Sequence, residues 1–169
     1  MSKQIYLGGD MLSLGQQMRR EWERKELERL GFEVYVPQDD DDVNDKVNAN
    51  QDGLAERIVR NDTQGINLSD VVIFDYLPHA QGTICEMGYV QALIESLIAE
   101  FGEPPNLKVY VQCSDIRQGT GHVPVEQDRN EFSINQYVYG VILDITEGRG
   151  IQTFDEIVQD LIKNEDWDK

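Results

Sequence analysis

Three side chains stand among neighbours that do not suit them. In "GTICEMGYVQALI", Gly82 to Ile94, Glu86 falls among apolar residues, about three positions into an expected helix whose N-cap is Gly82 or Thr83. In the first turn, free backbone N–H groups and the helix dipole favour a charged carboxylate, which can serve as a nucleophile. The spacing of Thr83 and Glu86 also fits a capping box of structural purpose only. In "LAERIVRNDTQGI", Leu54, Ile58, Asp62 and Ile66 step by four, so an acid interrupts an apolar stripe. A buried Asp62 would keep its proton and donate it to a leaving group; if the helix ends before it, it simply reaches water. Tyr6 closes the first β-rich run, either reaching toward the helix that carries Glu86 or packing as an amphipathic core residue.

The elements that must hold these groups alternate along the chain. Five β-rich runs, "QIYLGG", "FEVYVP", "DVVIFDYLP", "LKVYVQCS" and "YVYGVILDI", are separated by helical patterns. The last helix places Phe154, Ile157, Val158, Leu161 and Ile162 on one face. Runs this uniformly apolar have no wet face, so the expectation is a doubly wound α/β fold with a five-stranded parallel sheet and helices on both faces. Ligands in such folds bind beyond the carboxyl ends of the strands. That rule points to Gly8 to Ser13, Pro37 to Asp45, Tyr76 to Thr83 and the chain from Cys113 onward, which contain the substrate-binding candidates Gly8, Gly9, Asp10, Asp41, Gln81 and Gly82.

Composition narrows the function. With 169 residues and no internal repeat or linker, a single domain over 1–169 is expected. A formal net charge of −17 opposes nucleic acid and anionic membranes, leaving small-molecule substrates. No apolar run of membrane-spanning length occurs, and the N-terminus runs straight into a strand-like segment, so a cytoplasmic location is expected. Cys85 and Cys113 lack metal-ligand spacing and read as small buried hydrophobes. The acidic run Asp39 to Asp45 reads as a solvated loop that also rims the crevice; it lacks the ligand alternation of a calcium loop, so neither metal nor cofactor is expected. Asp10 and Asp75, near strand ends, raise a rival reading as a phospho-acceptor receiver domain. That chemistry needs a lysine at the end of the fifth strand, and "VYGVILDI" has none.

These residues in this order resemble the nucleoside 2-deoxyribosyltransferase family, through "IYLGGD", "GFEVYVP", "RNDTQGINLSDVVIF" and, most specifically, "GTICEMGY". The resemblance implies a flavodoxin-like fold and exchange of the base of 2'-deoxynucleosides through a covalent deoxyribosyl-glutamate. It assigns Glu86 as the nucleophile, Tyr6 as the residue orienting it and Asp62 as the acid protonating the departing base. It further implies free nucleobases as second substrates, a place in nucleotide salvage, and a homo-oligomer in which Asn135 completes a neighbouring subunit's site. One departure stands out: many relatives carry an acid six positions before the nucleophile, where this chain has Ala80. Gln81, His79 or an acid of Asp39 to Asp42 is left to substitute. Two alternatives are an N-glycosidase of 2'-deoxynucleoside 5'-monophosphates and a non-catalytic nucleoside-binding module. For a phosphate the loop after the first run offers Gly8, Gly9, Ser13 and Arg19, but Asp10 in its middle repels one.

Overall fold

The computed structural model describes residues 2–40, 52–115 and 134–163. Strands β1 (Gln4–Gly8), β2 (Glu33–Tyr35), β3 (Val71–Asp75) and β4 (Lys108–Gln112) pair in parallel in the order β2-β1-β3-β4. Helices α1 (Leu14–Arg29), α2 (Leu54–Leu68), α3 (Gln81–Phe101), α4 (Gln136–Ile145) and α5 (Phe154–Lys163) cover both faces. Because side chains alternate along a strand, the sheet feeds two cores. Tyr6, Val72, Phe74, Val109 and Val111 pack with Ile66 of α2, Met87 and Val90 of α3 and Val141, Ile142 and Ile145 of α4. Ile5, Leu7, Val71, Ile73 and Tyr110 pack with Leu27 of α1 and Phe154, Ile157 and Leu161 of α5. Burial on both sides explains why β3 is apolar throughout except for its terminal Asp75. Among the described helices, none is long and apolar enough to cross a membrane.

The fifth strand is a correction. "YVYGVILDI" forms helix α4, capped by Asn135, whose Oδ1 accepts from the backbone N–H groups of Tyr137 and Val138 at 2.9 and 3.3 Å. The run looked continuous, but Val138, Val141, Ile142 and Ile145 follow a 3.6-residue period and face the sheet. The described residues thus hold four strands. At the β4 edge, Ile151 forms one parallel bridge with Val111, and Gln152 N–H donates to the Val111 carbonyl at 2.9 Å.

Because "YVYGVILDI" is a helix, its lack of a lysine does not bear on a receiver domain. What excludes that reading is Asp75 itself, fully buried with its Oδ2 accepting from Arg20 Nη2 at 2.7 Å and so closed to a phosphoryl donor. Arg20 also pairs with Glu23, whose Oε1 accepts from Gln112 Nε2 at 2.8 Å, while Asp75 Oδ1 accepts from Ser114 N–H at 2.8 Å. This cluster ties α1 to the ends of β3 and β4 and presses on the turn after β1. A Cβ built on Gly9 would lie 2.5 Å from Arg20 Nη2, so only glycine fits there. In "RREWERKE" such residues read as a solvated helix face, and nothing local marks Arg20 and Glu23 as buried.

Candidate active site

The strand order reverses between β1 and β3, and the crevice at that switch point is where the predicted chemistry converges. Helix α3 begins at Gln81 with Ala80 as N-cap, two or three residues earlier than expected. Glu86 is consequently in the second turn, beyond the free N–H groups, which excludes the capping box and removes the expected dipole stabilisation. Its carboxylate turns toward β1: a Cβ on Gly8 would lie 3.1 Å from Glu86 Oε2, 2.9 Å from the Tyr6 ring and 3.0 Å from the Phe74 ring. Gly8 is required because a carboxylate and two aromatic rings occupy the space a side chain would take.

Helix α2 runs on to Leu68, so Asp62 lies well inside it and the fraying alternative is excluded. Asp62 and Glu86 line the same cleft between α2 and α3, about 330 Å³ in volume, together with Ile58, Val59, Thr63, Ile66, Gly82, Cys85 and Tyr89. That volume suits a small organic molecule, for which sites run from about 300 Å³ upward. Tyr89 Oη donates to Asn67 Oδ1 at 2.8 Å and ties the two helices together behind the cleft.

Burial, more than dipoles, sets the ionisation. Glu86 is pushed up to about 7 by loss of water and then by the Asp62 charge, with the Tyr6 hydroxyl pulling the other way. The expectation of a firmly ionised Glu86 is therefore corrected to a carboxyl that titrates near neutrality. Asp62 is pushed up to about 6 by burial and by Asp40. Asp40 Oδ2 in turn accepts from Asn61 Nδ2 at 2.7 Å. The Tyr6 phenol is raised far above its ordinary value by burial, Glu86 and Asp62, so it stays protonated and can only donate to them. Tyr6 Oη faces the Glu86 carboxylate but falls short of hydrogen-bond geometry, and both Tyr6 Oη and Glu86 Oε2 are buried without a partner among the described residues.

The other candidates scatter. Tyr6 sits mid-strand in β1 rather than at its end, with its ring on the α2–α3 face. Gly82 lines the cleft and is open around its Cα; Gln81 is exposed at the start of α3 and does not line it. Asp10 is buried in the turn after β1, 3.8 Å from His79 Nε2, outside the cleft lining, as is Gly9 above Arg20. Asn135 is exposed at the start of α4, and Asp41 lies outside the described residues. The cysteines are a correction: Cys85 is exposed on the cleft wall, and Cys113 is half-buried, with its thiol raised to about 11 by burial. Sequence reading missed Tyr35, although its signal, a phenol in a short strand beside the crevice, is the one that singled out Tyr6.

The chain is similar to known proteins in sequence and in fold. An uncharacterised protein of Ureaplasma parvum serovar 3 is 30% identical over 153 residues, covering 85% of this chain and 86% of its own. The crystal structure of a conserved protein from Enterococcus faecalis V583 superposes with a TM-score of 0.68 at 18% identity, covering 97% of this chain and 99% of that one. A 2-deoxyribosyltransferase from the psychrotolerant Bacillus psychrosaccharolyticus superposes with a TM-score of 0.55 at 15% identity, covering 91% and 89%; at such identities both share the fold. Residues 5–121 match the family model of nucleoside 2-deoxyribosyltransferase, a span that runs from Ile5 of β1 past β4 and holds Tyr6, Asp62 and Glu86, and so the chain belongs to that family.

Proposed function

We propose that the protein is a nucleoside 2-deoxyribosyltransferase that exchanges the base of 2'-deoxynucleosides through a deoxyribosyl ester on Glu86. The observation that carries the reading is the buried, unpartnered Glu86 Oε2, facing the Tyr6 phenol and sharing a cleft with Asp62. Breaking an N-glycosidic bond builds positive charge on the sugar, and a carboxylate at the anomeric carbon both stabilises that charge and traps it. As the C1'–N bond breaks, Asp62 passes its proton to the base nitrogen and a Glu86 oxygen bonds to C1'. An incoming base then attacks C1', releases Glu86 and returns a proton to Asp62, so two inversions restore the configuration.

Carboxyls titrating near 7 and 6 in one cleft share protons rather than holding fixed states. The developing sugar cation favours a charged Glu86, which leaves the proton on Asp62 where the departing base needs it. A nucleoside is the substrate in preference to its 5'-monophosphate, because the buried carboxyl of Asp10 in the turn after β1 repels a phosphate. Asn135, exposed and already capping α4, is the residue a second copy of the chain would contribute to the site.

Chromatography of reactions pairing each deoxynucleoside with a different free base tests the reading. A new deoxynucleoside, with intact protein carrying a deoxyribosyl adduct at Glu86, is the expected result. Faster cleavage of the monophosphate to free deoxyribose 5-phosphate, even with acceptor base in excess, would move the protein to the N-glycosidase branch. Binding with no cleavage of any substrate would make it a nucleoside-binding module.

A further inference from the structure

We infer that Tyr35 is a positioning residue of the deoxyribosyl-transfer site: its ring fixes Tyr6 and helix α2, and its hydroxyl steadies the Asp62 carboxylate after the proton has left. The inference rests on the function proposed above. Tyr35 and Tyr6 are register partners on the adjacent parallel strands β2 and β1, so both phenols leave the same face of the sheet. Their rings stack, with centroids 5.7 Å apart and planes inclined by 21°. From above, Gly65 of α2 bears on both: a Cβ there would lie 2.7 and 2.9 Å from two Tyr35 ring atoms and 3.1 Å from Tyr6 Cδ2. Gly65 stands nearly one turn beyond Asp62, so the Tyr35 ring sets how close that stretch of α2, and with it Asp62, comes to the sheet.

Tyr35 Oη is buried without a hydrogen-bond partner among the described residues, like Tyr6 Oη and Glu86 Oε2 beside it. A buried, unsatisfied hydroxyl is costly, and a phenylalanine would fill the same space without that cost. Besides burial, the charges of Asp62, then Asp40, then Glu86 raise the phenol to about 12, so it keeps its proton at working pH and acts as a donor. The groups facing this corner are Tyr6 from β1, Asp40 after β2, Asp62 from α2 and Glu86 from α3, and all but the phenols are acids. While the sugar rests on Glu86, Asp62 is a half-buried anion beside Asp40. A neutral donor from Tyr35 stabilises that anion until the incoming base returns the proton, and Tyr35 itself neither gains nor loses one.

Tyr35→Phe separates ring from hydroxyl. The expected variant folds with a Tm equal to or above wild type, because an unsatisfied polar atom is gone. Its kcat falls about tenfold or more with KM changed less than about twofold, since chemistry and not binding loses a positioned group. The basic limb of its kcat–pH profile moves to higher pH, because the Asp62 anion has lost a donor. Wild-type kcat with an unmoved profile overturns the inference, and so does a large fall in Tm, which would make the hydroxyl a structural group. Carboxyl ¹³C titration of Asp62 in the substrate-free protein reads the same point without turnover. If wild type proves inactive on every nucleoside, the proposed function falls, while an upward shift of the Asp62 midpoint in Tyr35→Phe still supports the contact and its absence still overturns it.

Discussion

Gly8 and Glu86 are in such close approach that a methyl group on the glycine would sit 3.1 Å from the carboxylate oxygen and 2.9 Å from the Tyr6 ring. The strand end is therefore part of the site. Gly8→Ala is expected to displace Glu86 or Tyr6 by a few tenths of an ångström or more and to lower kcat by about 10²-fold, with the fold intact by circular dichroism. Wild-type turnover in that variant would mean that the carboxylate and ring can yield at no cost to the chemistry.

Glu86→Gln removes the nucleophile but keeps its shape, so base exchange should vanish together with the sugar adduct. Stability should move the other way at high pH. Burial raises Glu86 from its ordinary 4.5 to about 7, so the stability linked to its protonation is fully present below about 4.5 and is lost as pH rises through 7. At pH 8 the neutral amide is expected to make the protein more stable than wild type, by on the order of 2 kcal/mol in urea unfolding, with little difference at pH 4. A variant less stable than wild type at pH 8 would show that the charged carboxylate is satisfied in the fold.

The activity profile should be bell-shaped, with its maximum between about 6 and 7. Below that window both Glu86 and Asp62 are protonated and the nucleophile is lost; above it both are charged and the base leaves without a proton. Steady-state rates from pH 4 to 9 check this, and a rate that climbs steadily to pH 9 would exclude a carboxyl as the proton donor.

Asp62→Asn tests that donor directly. Loss of general-acid help is worth roughly 10²- to 10⁴-fold for an ordinary base and little for an activated leaving group that departs as a stable anion. Equal losses on both classes of substrate would reassign Asp62 to positioning.

Arg20→Met addresses the scaffold. It takes from Glu23 and Asp75, both fully buried, the buried one of their two guanidinium partners, leaving only the part-exposed Arg19 at 2.9 and 4.0 Å, and is expected to cost about 3 kcal/mol in denaturant unfolding. A loss under about 1 kcal/mol would mean that Arg19 alone neutralises the pair, or that Glu23, already raised by burial, takes up a proton in place of its lost partner.

The parallel α/β layering was legible in the residues alone, because the middles of β1, β3 and β4 are buried on both faces and apolar in nearly every position. The sequence also singled out Tyr6, Asp62 and Glu86, because acids in apolar stripes and a phenol near a crevice are local anomalies. Tertiary structure decided the rest. The turn in which Glu86 sits depended on where α3 starts, and its ionisation on how much water the packed helices exclude. The helical period within "YVYGVILDI" was present in the sequence, but a continuous apolar run suits a buried strand equally well until packing selects one. Gly65 on the Tyr35 ring, Gly9 on Arg20, and the ion cluster of Arg20, Glu23 and Asp75 join residues remote in sequence or hidden in a charged helix. No periodicity encodes such contacts; they exist only once β1, β2 and α2, or α1, β3 and β4, have been brought together by burying both faces of one sheet.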